Sequence, residues 1–118
     1  MADVPTVSSV MVDCNDLEKV VAFWGEILGL EETMRFPGYA WLESMGSQGP
    51  RLAFQQVAET KMVKNRMHLD LAADDPEELM ARVVALGGTR IRDHEMGGIR
   101  WTVMGDPEGN EFCVTPKE

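Results

Sequence analysis

The chain has little of what several protein classes require. Its two cysteines are too few for the disulfide framework of a small secreted scaffold. No apolar run approaches the roughly 18 residues of a membrane-spanning helix, and the N-terminus lacks the charged and apolar segments of a secretory signal. Basic residues are also scarce, since 11 Lys and Arg stand against 20 Asp and Glu, which gives a net charge of −9. We therefore expect a cytoplasmic protein that binds neither a membrane nor nucleic acid, whose phosphates require a basic surface.

What the chain does contain is a pattern that occurs twice. The dipeptides Leu28-Gly29 and Leu86-Gly87 lie 58 positions apart, and so do Phe54-Gln55 and Phe112-Cys113. A period of this size indicates two copies of one supersecondary unit. With 118 residues the chain is long enough for one compact body with a real core. We therefore expect a single domain, residues 1–118, built from unit one (about 6–58) and unit two (about 65–116).

Each half predicts a strand, a helix and three further strands. In the first half Asn15 or Asp16 can cap the helix and Gly29 ends it. In the second half Asp75 and Pro76 begin the helix. The predicted strands are 7–13, 31–36, 39–45 and 51–57, then 66–72, 89–93, 99–104 and 110–115. The expected buried helix positions are Leu17, Val20, Val21, Trp24, Ile27 and Leu28, then Leu79, Val83 and Leu86. This is an α+β fold of two tandem βαβββ units.

Alternation along the strands predicts one apolar face for each helix and one mixed face. The mixed faces of the first, fourth, fifth and last strands would converge on a polar-bottomed cavity. Spacing supports pairing the first of these positions across the repeat, since seven residues separate Ser9 from Asp16 and His68 from Asp75. The predicted cavity floor holds Ser9, Gln55, His68 and Cys113, with Asp70 and Glu111 farther along the same faces.

Three local motifs carry a family resemblance. They are Asp16-Leu-Glu with Phe23-Trp24 and Leu28-Gly29-Leu30, Asn65-Arg-Met-His68-Leu-Asp-Leu71, and Asp106-Pro-Glu-Gly-Asn-Glu-Phe-Cys-Val114. Together with the paired units they resemble the vicinal oxygen chelate superfamily, which includes glyoxalase I, extradiol dioxygenases and bleomycin-resistance proteins. The small bacterial glyoxalase-like subfamily is the most similar. The resemblance implies a curled mixed sheet around a cleft, a homodimer, and metal ligands from the first and last strands of each unit.

The family's metal ligands map onto four positions of this sequence. The first ligand, usually His or Gln, falls on Ser9, and the second, usually Glu, on Gln55. The third, usually His, falls on His68, and the fourth, usually Glu, on Cys113. His68 and Cys113 could hold a soft divalent ion, with Gln55 as a weak third ligand. The resemblance implies Zn, Ni, Mn or Fe, whereas the incomplete ligand set favours no cofactor.

Two tryptophans and the second histidine lie outside these motifs. Trp41 and Trp101 occupy equivalent elements of the two units and could wall a ligand pocket, although core packing explains them equally well. His94, in a Gly-flanked segment, is predicted to lie in a solvated loop.

Three functions remain open. The first is a glyoxalase-like enzyme, a lyase or isomerase, that acts on a small carbonyl or oxygenated compound. A metal would polarise the substrate oxygens, or His68 would act as a general base oriented by Asp70 or Glu111. The second is a bleomycin-resistance-like protein that sequesters a cationic small molecule in an acidic cleft, which suits the net charge of −9. The third is a domain whose metal site has decayed.

Overall fold

The computed structural model describes residues 4–117, which divide into two units between Glu59 and Thr60. Unit one consists of β1 (Ser9–Cys14), α1 (Leu17–Leu28), β2 (Glu32–Phe36), β3 (Tyr39–Ser44) and β4 (Arg51–Gln56). Unit two consists of β5 (Leu69–Ala73), α2 (Pro76–Ala85), β6 (Thr89–Met96), β7 (Ile99–Gly105) and β8 (Glu111–Pro116). Both units follow the expected order of one strand, one helix and three strands.

Each unit contains one open, four-stranded mixed sheet. The strand order is β1-β4-β3-β2 in unit one and β5-β8-β7-β6 in unit two. The first and last strands of each unit pair in parallel, and the other neighbours pair antiparallel. The helix after the first strand supplies the crossover that a parallel pair requires. The predicted α+β class and the internal repeat are thus confirmed.

The two helices begin with the same cap. The Asp16 side chain accepts a hydrogen bond from the Lys19 backbone N–H at 3.2 Å, and Asp75 accepts one from the Glu78 N–H at 3.1 Å. Gly29 ends α1 in the left-handed conformation, with φ of 66°, which favours glycine. Within residues 4–117, no helix is both long enough and apolar enough to cross a membrane.

The helices differ in how they bury their apolar faces. The buried residues of α1 are Leu17, Val20, Phe23, Trp24 and Ile27. The prediction omitted Phe23 and included Val21 and Leu28, which are only half-buried. In α2 the buried residues are Met80 and Val83, whereas Leu86 is 38% exposed. The prediction for Leu86 was wrong because α2 ends at Ala85, which leaves Leu86 as its C-cap.

Three strand boundaries differ from the prediction by two residues or more. β1 begins at Ser9 rather than at 7. β5 begins at Leu69 rather than at 66, because the pairing with β8 starts at Leu69 opposite Phe112. β6 continues to Met96, so His94 is part of a strand and not of a loop. Its pairing with Trp101 of β7 extends the hairpin as far as the turn at Gly97 and Gly98.

An arginine links the edge strand to the helix in each unit. In unit one Arg35 of β2 contacts Glu18 of α1 and bonds Glu32 at 2.6 Å, and this hydrogen bond lowers the pKa of Glu32. In unit two Arg90 of β6 bonds Glu77 of α2 at 3.2 Å and Asp93 at 3.0 Å. Glu18 and Glu77 are each the second residue of their helix, where a negative charge also suits the helix dipole.

The difference in burial between two phenylalanines of unit one predicts that their removal affects stability unequally. Phe54 of β4 is fully buried, whereas Phe36 of β2 is 54% exposed. Phe54→Ala should lower the free energy of unfolding by about 3–5 kcal/mol, because it leaves a cavity. Phe36→Ala should lower it by at most about 1.5 kcal/mol, because that ring is largely exposed and packs edge-to-face on Trp41. Chemical denaturation measures both, and equal losses would contradict the described core.

Candidate functional site

Three side chains of different chemistry meet in unit two. His68 directly precedes β5, Asp70 is in β5, and Cys113 lies opposite Asp70 on the parallel neighbour β8. One potential ligand atom from each residue lies within 4.8 Å of the other two. His68 Nε2 is 3.2 Å from Asp70 Oδ1. The cluster therefore combines an imidazole, a carboxylate and a thiol within a single unit.

The three members of the cluster differ in their access to solvent. The side chains of His68 and Asp70 are 42% and 66% exposed, since β5 is an edge strand. Cys113 is only 7% exposed. Burial raises the pKa of the Cys113 thiol, and the nearby Asp70 carboxylate raises it further. The thiol is therefore protonated at neutral pH, while the imidazole and the carboxylate remain accessible to a ligand.

Glu111 lies next to the cluster, but among the described residues the carboxylate in contact with His68 is that of Asp70. It precedes Cys113 by two residues on β8, so both side chains lie on the same face of the sheet. Among the described residues none donates a hydrogen bond to its buried Oε1, and the ammonium group of Lys64 lies 3.7 Å away. Glu111 therefore adds a buried hydrogen-bond acceptor beside the cluster.

The residues predicted in unit one lie on β1 and β4. Gln55 pairs with Asp13 as Cys113 pairs with Asp70. The register therefore relates Met11, rather than Ser9, to His68. The spacing to the caps was misleading, because three positions separate Asp13 from Asp16 whereas five separate Asp70 from Asp75. The assignment of Ser9 and Gln55 as ligand-binding residues stays a prediction.

The two tryptophans do not occupy equivalent positions in their sheets. Trp41 pairs with Ala53, and in the register of unit two the corresponding residue is Gly105, which pairs with Glu111. Trp41 stacks on Tyr39 with ring centroids 6.0 Å apart and packs edge-to-face on Phe36 at 6.1 Å. The predicted equivalence with Trp101 is therefore wrong, although either ring can still contact a ligand.

Trp101 belongs to a group that sequence reasoning missed. Its indole stacks on the His94 imidazole with ring centroids 5.1 Å apart and an interplanar angle of 14°. Arg92 Nε donates a hydrogen bond to His94 Nε2 at 3.1 Å. A signal was available, since Gly97-Gly98 is a typical hairpin turn and would have extended the strand through His94.

Unit two also contains an open cavity of about 490 Å³ between α2 and strands β6 to β8. Met80, Thr102 and Val114 contribute to its lining, as do the charged residues Arg90 and Asp93. His68, Asp70 and Cys113 do not line it. His94 and Trp101 also line the cavity, which therefore reaches the β6–β7 hairpin. It does not reach the only cluster among the described residues that combines a base, a carboxylate and a thiol.

Comparisons with known proteins agree on the family. The model of the glyoxalase-like domain matches residues 9–115. A glyoxalase/bleomycin resistance protein/dioxygenase family enzyme from Burkholderia phytofirmans PsJN has a TM-score of 0.79 and 22% identity, over 95% of this chain and 98% of the other. A search of curated proteins finds no match.

Two further solved structures share the fold at lower identity. Lactoylglutathione lyase from Agrobacterium tumefaciens has a TM-score of 0.67 and 20% identity, over 94% of this chain and 92% of the other. A fosfomycin resistance protein variant from Listeria monocytogenes, in complex with Mn(II) and a dihydroxypropylphosphonic acid, has a TM-score of 0.78 and 15% identity, over 97% and 90%. Because the family model covers nearly the whole sequence, the chain belongs to the glyoxalase-like domain family of the vicinal oxygen chelate superfamily.

Proposed function

We propose that the chain is a glyoxalase-like enzyme of the lyase or isomerase type, which acts on a small carbonyl compound at the cluster of His68, Asp70 and Cys113. The observation that carries the proposal is the 3.2 Å contact between His68 Nε2 and Asp70 Oδ1. A carboxylate that orients an imidazole is the arrangement of a general base. The lyase and resistance-protein neighbours support the same class of chemistry without specifying a substrate.

The contact with Asp70 determines which nitrogen of His68 reacts. When Nε2–H donates to the carboxylate, Nδ1 of the neutral imidazole carries the lone pair. In an α-hydroxy carbonyl substrate, Nδ1 then takes the proton from the hydroxyl-bearing carbon, and the electron pair of that C–H bond forms an enediolate as the carbonyl π electrons move onto oxygen. The hydroxyl proton passes to that oxygen, and return of the first proton to the former carbonyl carbon completes the isomerisation. Asp70 stabilises the imidazolium that exists between the two transfers.

The same three side chains fit a divalent ion. Nitrogen, oxygen and sulfur donors together suit a borderline-soft ion such as Zn²⁺. Their separations, all within 4.8 Å, need only a small contraction to reach the roughly 3.5 Å between ligands of a tetrahedral site. When bound, the ion would supply Lewis-acid polarisation of the substrate carbonyl. Asp70 would then be the third protein ligand, in place of Gln55, which the sequence predicts as a weak metal ligand.

A binding protein is the second candidate, and the net charge of −9 favours it. An acidic protein attracts cationic small molecules and concentrates them near its clefts. Such a function requires no proton transfer, so it does not depend on the tautomer of His68. Turnover of a carbonyl substrate distinguishes the enzyme from the sequestering protein. The cytoplasmic location and the homodimer also remain proposals; light scattering that finds only monomer would contradict the dimer.

Replacement of the base tests the proposed catalysis. In a screen of small α-oxo aldehydes and α-hydroxy ketones, His68→Ala should lower kcat/KM by at least about 100-fold, because the proton acceptor is lost. Thermal stability should change little, since the side chain is 42% exposed. If His68→Ala retains full turnover but unfolds at a lower temperature, His68 is structural and the proposal fails.

Asp70→Asn tests the orienting carboxylate, and Asp74→Asn is a matched control. Both variants remove one exposed negative charge from the same segment, but Asp74 forms its ion pair with Lys117, at 3.7 Å. Asp70→Asn should lower kcat roughly 10-fold or more, because the amide stabilises the imidazolium less well. Asp74→Asn should leave kcat within about twofold. Equal effects on kcat would show that general charge, rather than contact with His68, matters.

Elemental analysis and cobalt substitution test the metal. Protein purified without an affinity tag or chelator should contain up to one Zn²⁺ per chain if the cluster binds it. Cobalt should then give a thiolate-to-metal charge-transfer band that Cys113→Ser removes. Cys14→Ser is the matched control, because Cys14 is also buried and free but lies in unit one. Absence of metal and of the band would leave the His68 mechanism as the proposal.

A further inference from the structure

A group of hydrogen-bond donors lies on the sheet of unit two, and the proposed chemistry does not use it. We call it the donor group, and it consists of Arg92, His94 and Trp101. Arg92 Nε bonds His94 Nε2 at 3.1 Å, and the His94 ring stacks on Trp101. These two contacts hold three polar side chains together along β6 and β7.

The contacts within the donor group leave only donors for a ligand. Because His94 Nε2 accepts the bond from Arg92, the proton of the neutral imidazole is on Nδ1. The two amino groups of the Arg92 guanidinium and the indole N–H of Trp101 are donors as well. Within residues 4–117 no carboxylate pairs with Arg92, and no acceptor bonds the indole N–H. Such a set of donors suits an anion.

The register places the donor group on the same face as the catalytic cluster. Asp70 pairs with Cys113, Cys113 with Val103, and Val103 with Arg92. These residues form one row across four adjacent strands, so the alpha carbons of Asp70 and Arg92 are roughly 14 Å apart. His94 and Trp101 pair in the next row, and their side chains lie on the same face as Arg92 and Val103 because side chains alternate with period two.

Asp93 of β6 interacts electrostatically with His94, but its hydrogen bonds go to other partners. Asp93 bonds Thr102 at 2.8 Å and also Arg90, on the face that α2 covers. Glu95 alternates onto that same face, and it pairs with Arg100. In a chain with a net charge of −9, a guanidinium that pairs with no carboxylate among residues 4–117 is a local exception. An anionic group on the ligand would gain most from it, because charge-assisted hydrogen bonds are the stronger ones.

We infer that Arg92, His94 and Trp101 bind the carboxylate of an elongated ligand whose carbonyl end reaches His68. A carboxylate matches the fork of the guanidinium, and its single charge is repelled less by this acidic protein than the double charge of a phosphate. The substrate class is therefore a carbonyl compound with a carboxylate on the order of 10 Å from the reacting carbon. This inference rests on the proposed function and deepens it.

Benzoate titration followed by NMR tests the inference. The chain has three tryptophans, and Trp101→Phe identifies the indole N–H resonance of Trp101. Benzoate at millimolar concentrations should shift this resonance saturably, whereas neutral benzamide should not. Arg92→Gln should weaken benzoate binding at least about tenfold, because the charge-assisted bonds are lost. Arg92→Lys should weaken it less, because the charge remains and only the fork is lost.

Arg100→Gln is the matched control for charge. Arg100 is also exposed, precedes Trp101 in β7, and alternates onto the opposite face. This variant should bind benzoate within about twofold of the unchanged chain. Three results would each overturn the inference: equal weakening by Arg100→Gln, an equal shift with benzamide, or no saturable shift with benzoate. Tighter binding of phenyl phosphate than of benzoate would overturn the assignment to a carboxylate.

His68→Ala separates this inference from the proposed function. The variant should bind benzoate like the unchanged chain, because His68 and the donor group lie on different rows of the sheet. Loss of turnover in His68→Ala without benzoate binding by the unchanged chain would leave the enzyme proposal standing and overturn only the carboxylate site. Benzoate binding by the unchanged chain, together with full turnover in His68→Ala, would leave the carboxylate site standing and overturn the enzyme proposal.

Discussion

The parallel pairing of first and last strands is the constraint on which the rest of each unit depends. A parallel pair needs a crossover, and the helix that provides it covers one face of the sheet. Polar side chains can then collect on the other face without entering the core. In unit two this pairing sets Asp70 beside Cys113, and His68, at the entry to β5, completes the cluster. The candidate site is thus a direct product of the topology.

The repeat preserves the scaffold of the units more closely than their chemistry. Both helices begin at an Asp cap, and both second helical residues are glutamates bound by an edge-strand arginine. On the opposite face the register relates Asp13 and Gln55 to Asp70 and Cys113. By the same register, the first unit has Met11 where the second has the imidazole of His68, and Gln55 where the second has the thiol of Cys113. Scaffold residues satisfy the same packing and capping requirements twice, whereas the polar face carries no such requirement and can diverge.

The distribution of charge separates two regions of unit two. The Asp70 carboxylate and the Cys113 thiol lie beside His68, and burial together with Asp70 raises the pKa of that thiol. Arg92, His94 and Trp101 present donors, two to three strands away from Asp70. A face with a base at one end and donors at the other suits a ligand with an acidic C–H group next to a carbonyl at one end and an anion at the other. Net charge alone pointed only to cationic ligands, because it averages over these regions.

The sequence by itself determined the fold class, the two βαβββ units and both helix caps, because periodicity, caps and motifs are local properties. It did not determine register. Equal spacing to the caps suggested that Ser9 matches His68, but strand pairing relates Met11 to His68. The group of His94, Trp101 and Arg92 was likewise missed. These placements depend on hydrogen bonds between strands distant in sequence, and a shift of two residues keeps each side chain on the same face. Alternation therefore cannot detect such a shift, and only the tertiary structure decided it.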